Sequence, residues 1–325
     1  MTPFDAVDGG CQWIANARYD DIDAQAAQLQ GYGQRYEQLG RGRFEGRMVS
    51  FTLRDDVSLH VERTNLALMQ TGCAPPDRYS ALFLLEDSAP GSVNGAAFSR
   101  DQIAVWPPGH CFEALTPTGM AVCVISLASR FVSPPGRARI GARIVKDARA
   151  AARVREFIGS GLGQIQRDAC VLQHPAATAD FAAALGELLP FETQTEEARG
   201  SAERLSSARG MRLFRVARDK IHRGLAEGVS LTEVCAEVGL HRRSLEKLFY
   251  SMLGISPARY IRALQLNSIR RSLRAQENAA ASIGDIAARF GIWHWSRFSR
   301  DYQMMFGELP SRTRRSPGNT SPLSG

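Results

Sequence analysis

Two stretches decide the reading of this 325-residue chain: Ser230-Leu-Thr-Glu-Val-Cys-Ala-Glu-Val-Gly-Leu240 and Ser282-Ile-Gly-Asp-Ile-Ala-Ala-Arg-Phe-Gly-Ile292. They are copies of one pattern at an offset of 52 residues. Leu231 matches Ile283, Glu233 matches Asp285, Val234 matches Ile286, Ala236 matches Ala288 and Gly239 matches Gly291. One inserted residue later the match resumes at offset 53, with Leu245 on Phe298, Gly254 on Gly307 and Pro257 on Pro310. Such self-similarity signals one small structural unit used twice.

The chemistry of each copy predicts two short helices joined by a tight turn. Ser230 and Ser282 are N-cap residues, with a carboxylate three positions later at Glu233 and Asp285. This is the capping-box pattern, and the Ser–Glu pair of the first copy fits it more closely. Leu231, Val234, Cys235 and Val238 then recur at helical spacing. The small Ala236 leaves room for a second helix to cross closely. Gly239 is placed to end the first helix, because a left-handed φ is cheap only for glycine. The second helix is expected from near His241 to about Leu253, burying Leu245, Leu248, Phe249 and Met252, with Gly254 and Pro257 as its stop. Between the copies, residues 259–275 read as one amphipathic helix with Ile261, Leu264, Ile269 and Leu273 on its apolar side.

Helix-turn-helix units lay their second helix in the DNA major groove, N-terminal end first. That singles out Arg242, Arg243, Glu246 and Lys247 in the first copy and His294, Trp295, Ser296, Arg297 and Arg300 in the second as DNA-contacting candidates. Arginine can take both acceptors of a guanine edge, and glutamate can accept from a cytosine amino group. A rigid connecting helix would hold two reading helices at a fixed spacing, matching successive groove faces about 34 Å apart. The charge agrees with a polyanion partner for this part. Residues 211–325 carry 19 Lys and Arg against 9 Asp and Glu, a net of +10, whereas residues 1–210 sum to −3.

On these residues the chain resembles the AraC/XylS family of transcription regulators over 212–315. The resemblance rests on Ala236, Gly239, Leu245-Glu-Lys-Leu-Phe249 and Gly254-Ile-Ser-Pro-Ala-Arg-Tyr260 in the first copy. In the second it rests on Ile286-Ala-x-x-x-Gly291, Phe298-Ser-Arg300 and Phe306-Gly-Glu-Leu-Pro310. Thr313 departs from the family, which often has Tyr there. The stretch Arg35-Tyr-Glu-Gln-Leu-Gly-Arg-Gly-Arg-Phe-Glu-Gly46 is similar to the N-terminal part of ethanolamine-utilisation-type regulators. The resemblance implies a cupin-like N-terminal domain that senses a small-molecule effector and dimerises. It also implies double-stranded promoter DNA and RNA polymerase as partners, with activation as the output.

The N-terminal part itself reads as β-rich. Arg47–Leu53, Val57–Val61, Tyr79–Leu85, Gln102–Trp106 and Met120–Leu127 have strand character, with turn signals between them such as Ala74-Pro-Pro76 and Pro107-Pro-Gly109. Several short strands argue for an antiparallel barrel or sandwich. Residues 1–20 are expected to be irregular, and 23–37 to be helical at most in part because Gly31 and Gly33 intervene. Helices are expected from about Ala138 to Gln166 and over Ala177–Leu189. Val154, Phe157 and Ile158 are the apolar candidates there for a homodimer interface. Phe51, Phe83 and Trp106 are candidates to line an effector pocket.

The fold class is thus α+β, in four stretches. A cupin-like antiparallel β domain with flanking helices spans 1–193, and a polar linker 194–211. An all-α domain of two tandem helix-turn-helix units covers 212–315, and a disordered tail 316–325. The six cysteines have irregular spacings and no C-x-x-C pair. They are expected to be reduced and mostly buried rather than zinc ligands or a disulfide framework. His60, His110 and Glu113 lack the H-x-H spacing of a cupin metal site, so no metal, cofactor or catalytic residue is assigned. No apolar run approaches the roughly 20 residues of a membrane span, and the N-terminus lacks a signal-peptide pattern. A cytoplasmic protein is expected. Two alternatives stand beside the regulator: a cupin-type metal enzyme fused to a DNA-binding module, and a regulator whose N-terminal domain only dimerises.

Overall fold

In a computed structural model the described residues are 14–54, 56–87, 89, 91–132, 142–167, 174–191, 202–315 and 320–322. The N-terminal part runs β1 (Ile14–Tyr19), α1 (Ile22–Ala26), β2 (Arg35–Gln38), β3 (Gly46–Leu53), β4 (Val57–Thr64) and β5 (Leu68–Cys73). It continues through β6 (Arg78–Leu84), β7 (Gly91–Val93), β8 (Ala96–Phe98), β9 (Gln102–Trp106), β10 (Cys111–Thr116), β11 (Met120–Ala128) and β12 (Arg143–Lys146). Two long helices follow, α2 (Ala148–Arg167) and α3 (Pro175–Leu188). Helix α4 (Ala202–Arg223) leads into the repeat. The repeat comprises α5 (Leu231–Val238), α6 (Arg242–Leu253), α7 (Pro257–Arg274), α8 (Ile283–Ala288), α9 (Trp295–Phe306) and α10 (Pro310–Arg315). A short β13 (Thr320–Pro322) closes the described chain.

The strands form two antiparallel sheets, ordered β12-β9-β6-β11-β4-β3-β1-β13 and β2-β5-β10-β7-β8. Side-chain alternation turns these into four layers. Leu59, Val61, Phe83, Val105, Cys123 and Ile125 of the larger sheet face Val154, Ile158, Leu162, Ala182 and Leu185 of α2 and α3. Its opposite face, with Met48, Leu82, Val122 and Val124, packs on Tyr36, Leu68, Phe112 and Ala114 of the smaller sheet. On the far side of the smaller sheet, Met69 joins Leu39 in a core with Phe214, Phe249, Tyr260, Phe298 and Tyr302 of the helical domain. Between the sheets lies a buried carboxylate. Glu62 accepts hydrogen bonds from the Tyr36 hydroxyl at 2.6 Å and the Gln25 amide at 2.8 Å, and burial pushes its pKa up.

Several expectations change. Residues 14–19 are a strand rather than irregular, paired along their length with β3. The stretch 23–37 is a one-turn helix, then a strand beyond Gly31 and Gly33, both at positive φ. Residues 143–146 are a strand on β9, so the following helix starts at Ala148. Part of the stretch read as a linker, 202–211, is helical, while 194–201 lie outside the described residues. Within the tail read as disordered, 320–322 pair with β1, and the rest of 316–325 lies outside the described residues. Val154 and Ile158 are fully buried against the sheet and so are spent inside one chain, whereas Phe157, stacked on Phe181, stays half-buried. Phe51 and Phe83 lie on the opposite face of the larger sheet from Trp106 and line no common pocket with it.

The largest correction concerns cysteine. Cys73 and Cys111 are disulfide-bonded. They sit directly opposite each other on β5 and β10. Strand register makes that pairing, and linear spacing carries no trace of it. Cys123 is buried and Cys235 half-buried, both free, whereas Cys11 and Cys170 lie outside the described residues. Among the described residues no helix is long and apolar enough to cross a membrane.

Candidate nucleic-acid interface

Each copy folds as its composition dictates. Ser230 accepts a hydrogen bond from the Glu233 amide, and Ser282 one from the Asp285 amide. The complete reciprocal box forms in the second copy, where the Asp285 carboxylate also receives the Ser282 amide and hydroxyl. This reverses the expected ranking, because the shorter Asp side chain reaches back to its cap. The hydrogen bonds hold the Asp285 carboxyl below its ordinary range. Gly239 and Gly291 carry the turns at φ 65° and 73°, and Gly254 and Gly307 end α6 and α9 at φ 67° and 70°. Leu245 and Phe249 of α6, and Phe298 and Tyr302 of α9, are buried. The predicted apolar side of α7, Ile261, Leu264, Ile269 and Leu273, is buried as well.

That packing leaves the opposite faces of α6 and α9 outward. Arg242, Arg243 and Lys247 are exposed, and Glu246 is half-exposed beside Arg242 at 3.4 Å. His294, Trp295, Ser296, Arg297 and Arg300 are exposed on α9 and its cap. Among the described residues Arg243, Lys247 and Arg300 form no ion pair with another side chain. Trp293 is 70% exposed and unsupported, but Trp295, at 48%, is partly structural. Its ring packs edge-on against Phe298, with centroids 6.0 Å apart, and covers Gly284 of α8 so closely that an added Cβ would lie 2.4 Å from it. Thr313, the departure from the family pattern, is buried and takes the Tyr302 hydroxyl at 2.9 Å while bonding Glu308 at 2.8 Å.

Sequence reasoning missed what the other arginines do. Arg271 on α7 reaches Asp23 at 2.9 Å, Glu37 at 3.0 Å and the Tyr36 carbonyl. Burial works against its charge, but Glu37 and Asp23 together hold its pKa up. Arg274 pairs with Asp21, and Arg270 bridges Asp21 and Glu308. On α4, Arg215 and Arg218 grip Glu113 at 2.6 and 2.9 Å. Asn267 satisfies both main-chain groups of Gln38 at 3.0 and 3.2 Å, covering the open edge of β2. The Gln38 amide and the Gly42 N–H in turn donate to the Met304 and Met305 carbonyls of α9. Five of the 19 basic residues after 210 are thus neutralised by the N-terminal domain. Acidic residues spaced through the N-terminal part were the available signal, read as slight net charge instead of a docking face.

Between the domains the seam opens into a cleft of about 390 Å³. Arg35, Glu37, Cys73, Cys111 and Glu113 line one wall, and Arg218, Asp219, His222 and Tyr260 the other. Burial and nearby arginines push the His222 imidazole down to about 4. The residues weighed for metal do different work. His60 is buried, bonds Ser50 at 2.9 Å and is pushed down to about 4, while Glu113 serves the seam. Among the described residues no group of three or more His, Cys, Asp or Glu is placed to hold a metal ion.

Comparison with known proteins agrees with the geometry of the repeat. Residues 216–316 match the family described as a helix-turn-helix domain. Over 95 residues, 29% of this chain, the protein is 38% identical to a XylDLEGF operon transcriptional activator of Pseudomonas putida, covering 30% of that activator. Over 103 residues it is 29% identical to a probable thc operon regulatory protein of Rhodococcus erythropolis, covering 31% of it. The matches span about a third of these relatives' length. Among solved structures, the AraC-like transcriptional activator CuxR aligns over 85% of this chain and 99% of its own at 14% identity and a TM-score of 0.41.

Proposed function

We propose, from the helix-turn-helix match over residues 216–316 and the AraC-type resemblance of that stretch, that the chain is a sequence-specific transcription activator reading two adjacent major-groove segments. The observation that carries this is the outward basic face of α6 and α9, where Arg243, Lys247 and Arg300 form no ion pair among the described residues, while five of the same domain's other arginines are consumed at the seam. In this reading Arg243, Glu246 and Lys247, with Arg242 at their edge, read the first segment. Trp295, Ser296, Arg297 and Arg300, with His294 at the helix start, read the second. RNA polymerase would be the partner on promoter DNA, and a homodimer the assembly.

The N-terminal domain would sense a small molecule. The interdomain cleft is of a size that holds such ligands, roughly 300–1,000 Å³. A ligand there touches both domains, so it can bias how the reader is held. The test of the reading is a gel-shift titration of the full chain on genomic fragments at two salt concentrations. Specific fragments should shift, with affinity falling steeply as salt rises because phosphate contacts release counterions. A chain that shifts no fragment at low salt overturns the reading.

A further inference from the structure

We propose that Cys73 and Cys111 form a reversible thiol–disulfide site, reduced by small thiols entering the interdomain cleft, whose state sets how firmly the smaller sheet holds α4. Two observations carry it: accessibility and connection.

The bridge lies on the outer face of the smaller sheet and lines the open cleft. Cys111 is exposed and Cys73 half-buried. The contrast is Cys123, fully buried between sheet and helices, where burial pushes the thiol far up and removes it from exchange chemistry.

The exchange balances without any bound group. A thiolate attacks the exposed Cys111 sulfur, the S–S bond breaks, and Cys73 leaves as a thiolate that takes a proton. A second thiolate attacks the resulting mixed disulfide and frees Cys111. Two electrons pass to the protein and one small-molecule disulfide is released; excess small-molecule disulfide drives the reverse.

The connection runs along the two bridged strands. Two residues beyond Cys111 on the same face is Glu113, the carboxylate gripped by Arg215 and Arg218 of α4. Opposite Glu113 in register is Thr71, and opposite Leu115 is Met69, which packs into the helical core. Breaking the bridge frees one end of the ladder that presents these contacts. Local opening becomes easier there, and the neighbouring helix loses support.

The test uses the full chain, equilibrated in buffers of graded reduced to oxidised glutathione, quenched with an alkylating reagent and analysed by mass spectrometry. Cys73 and Cys111 should become alkylatable together in the native chain, while Cys123 stays protected. Amide hydrogen exchange on the same samples should speed up about tenfold around 71–73 and 111–113 on reduction, with a smaller rise over 211–223. Cys111→Ser should exchange like the reduced chain in every buffer. Alkylation of both cysteines in the most oxidising buffer overturns the proposal. So does a bridge that is reduced only after urea unfolding, or exchange over 211–223 that ignores the redox state. If Cys111→Ser does not fold, the native chain's alkylation and exchange decide alone. Neither readout involves DNA, so failure here is separate from failure of the proposed function.

Discussion

Helices α6 and α9 are copies of one element, yet the molecule holds them differently. Helix α6 presents Arg242, Arg243 and Lys247, with its exposed aromatic, Tyr250, toward the far end, and its core partners Phe214 and Tyr260 belong to the helical domain itself. Helix α9 and the turn before it present one tryptophan each beside the cations, and the one on the helix is pinned over Gly284. It is also fastened to the N-terminal domain: main-chain carbonyls of Met304 and Met305 take hydrogen bonds from Gly42, and Gly307 sits 3.1 Å, at a notional Cβ, from Arg43. A duplicated unit has thus diverged into one copy whose Arg243 and Lys247 form no ion pair among the described residues and one fastened to the N-terminal domain. In the proposed function, a signal from the N-terminal domain would reach the second copy through β2 and the loop after it, and the first through α4.

The comparison breaks most decisively in the two cores. Phe249 and Phe298 are both almost fully buried, and truncating either to Ala should cost about 3–5 kcal/mol of stability. The consequences should differ in place. Phe298→Ala should raise amide exchange in α8 and α9 and also around residues 38–42. Phe249→Ala should raise it in α4 to α6 and leave 38–42 protected. Chemical denaturation measures the size and hydrogen exchange the place. Equal deprotection of 38–42 by both variants would show that the two copies are not separately anchored.

At the surface the expected effects are smaller. Arg243 has no ion-pair partner among the described residues, whereas Arg297 lies 4.0 Å from Asp301, which Arg262 also holds. Each Arg→Ala change should cost roughly 1–3 kcal/mol of specific binding if the guanidinium takes a guanine edge. Arg243→Ala should sit higher in that range, because Arg297 must exchange an existing partner for the base. Competition titrations against specific and scrambled DNA measure this. A larger loss of discrimination in Arg297→Ala would reverse the ranking.

The repeat was legible because its signals are local. Serine caps, glycine stops and 3.6-residue apolar spacing act within a few residues, and the predicted bounds of α6 and α7 lie within two residues of those found. The buried sides of both helices were legible for the same reason. Strands β5 and β10 were not, since Leu68-Met-Gln-Thr-Gly-Cys73 and Cys111-Phe-Glu-Ala-Leu-Thr116 alternate across a sheet buried on both faces and lack a clean polar side. What those strands carry, the disulfide and Glu113, is fixed by register between segments 38 residues apart. The seam was hidden likewise: Arg271 read as the polar side of a helix, and its partners Asp23 and Glu37 lie more than 230 positions away.

Gly284 sharpens the comparison at a single atom. The first copy has Thr232 at the matching position, and the residue that matches Trp295 is the exposed, flexible Arg242. A Cβ on Gly284 would meet two Trp295 ring carbons at 2.4 and 2.5 Å. Gly284→Ala therefore gains up to about 1 kcal/mol of helix propensity but forces the indole aside, at about 1–3 kcal/mol of overpacking. A net loss near 1 kcal/mol is expected, with a changed tryptophan emission and weaker DNA binding. Thr232→Ala should do none of this. A stability gain in Gly284→Ala with unchanged emission would mean that Trp295 does not rest on α8.

The smallest difference lies in the caps. Ser230→Ala and Ser282→Ala each remove a side-chain acceptor from a helix start, a loss of about 0.5–2 kcal/mol. Ser230 makes one such bond. Ser282 makes the same bond, and its hydroxyl also donates to Asp285, whose carboxylate takes the Ser282 amide as well. The second variant should therefore lose a few tenths of a kcal/mol more. It should also change the response to acid. Asp285 has its folded pKa below the ordinary 3.8, so the stability it contributes is present above that value and is lost as pH falls through the lower, folded one. Removing the Ser282 hydroxyl returns Asp285 toward 3.8 and takes that contribution away at neutral pH as well. Unfolding curves of the two variants at neutral pH and well below pH 3.8 test both statements, and equal losses for the two serines would show that the reciprocal half of the box adds nothing.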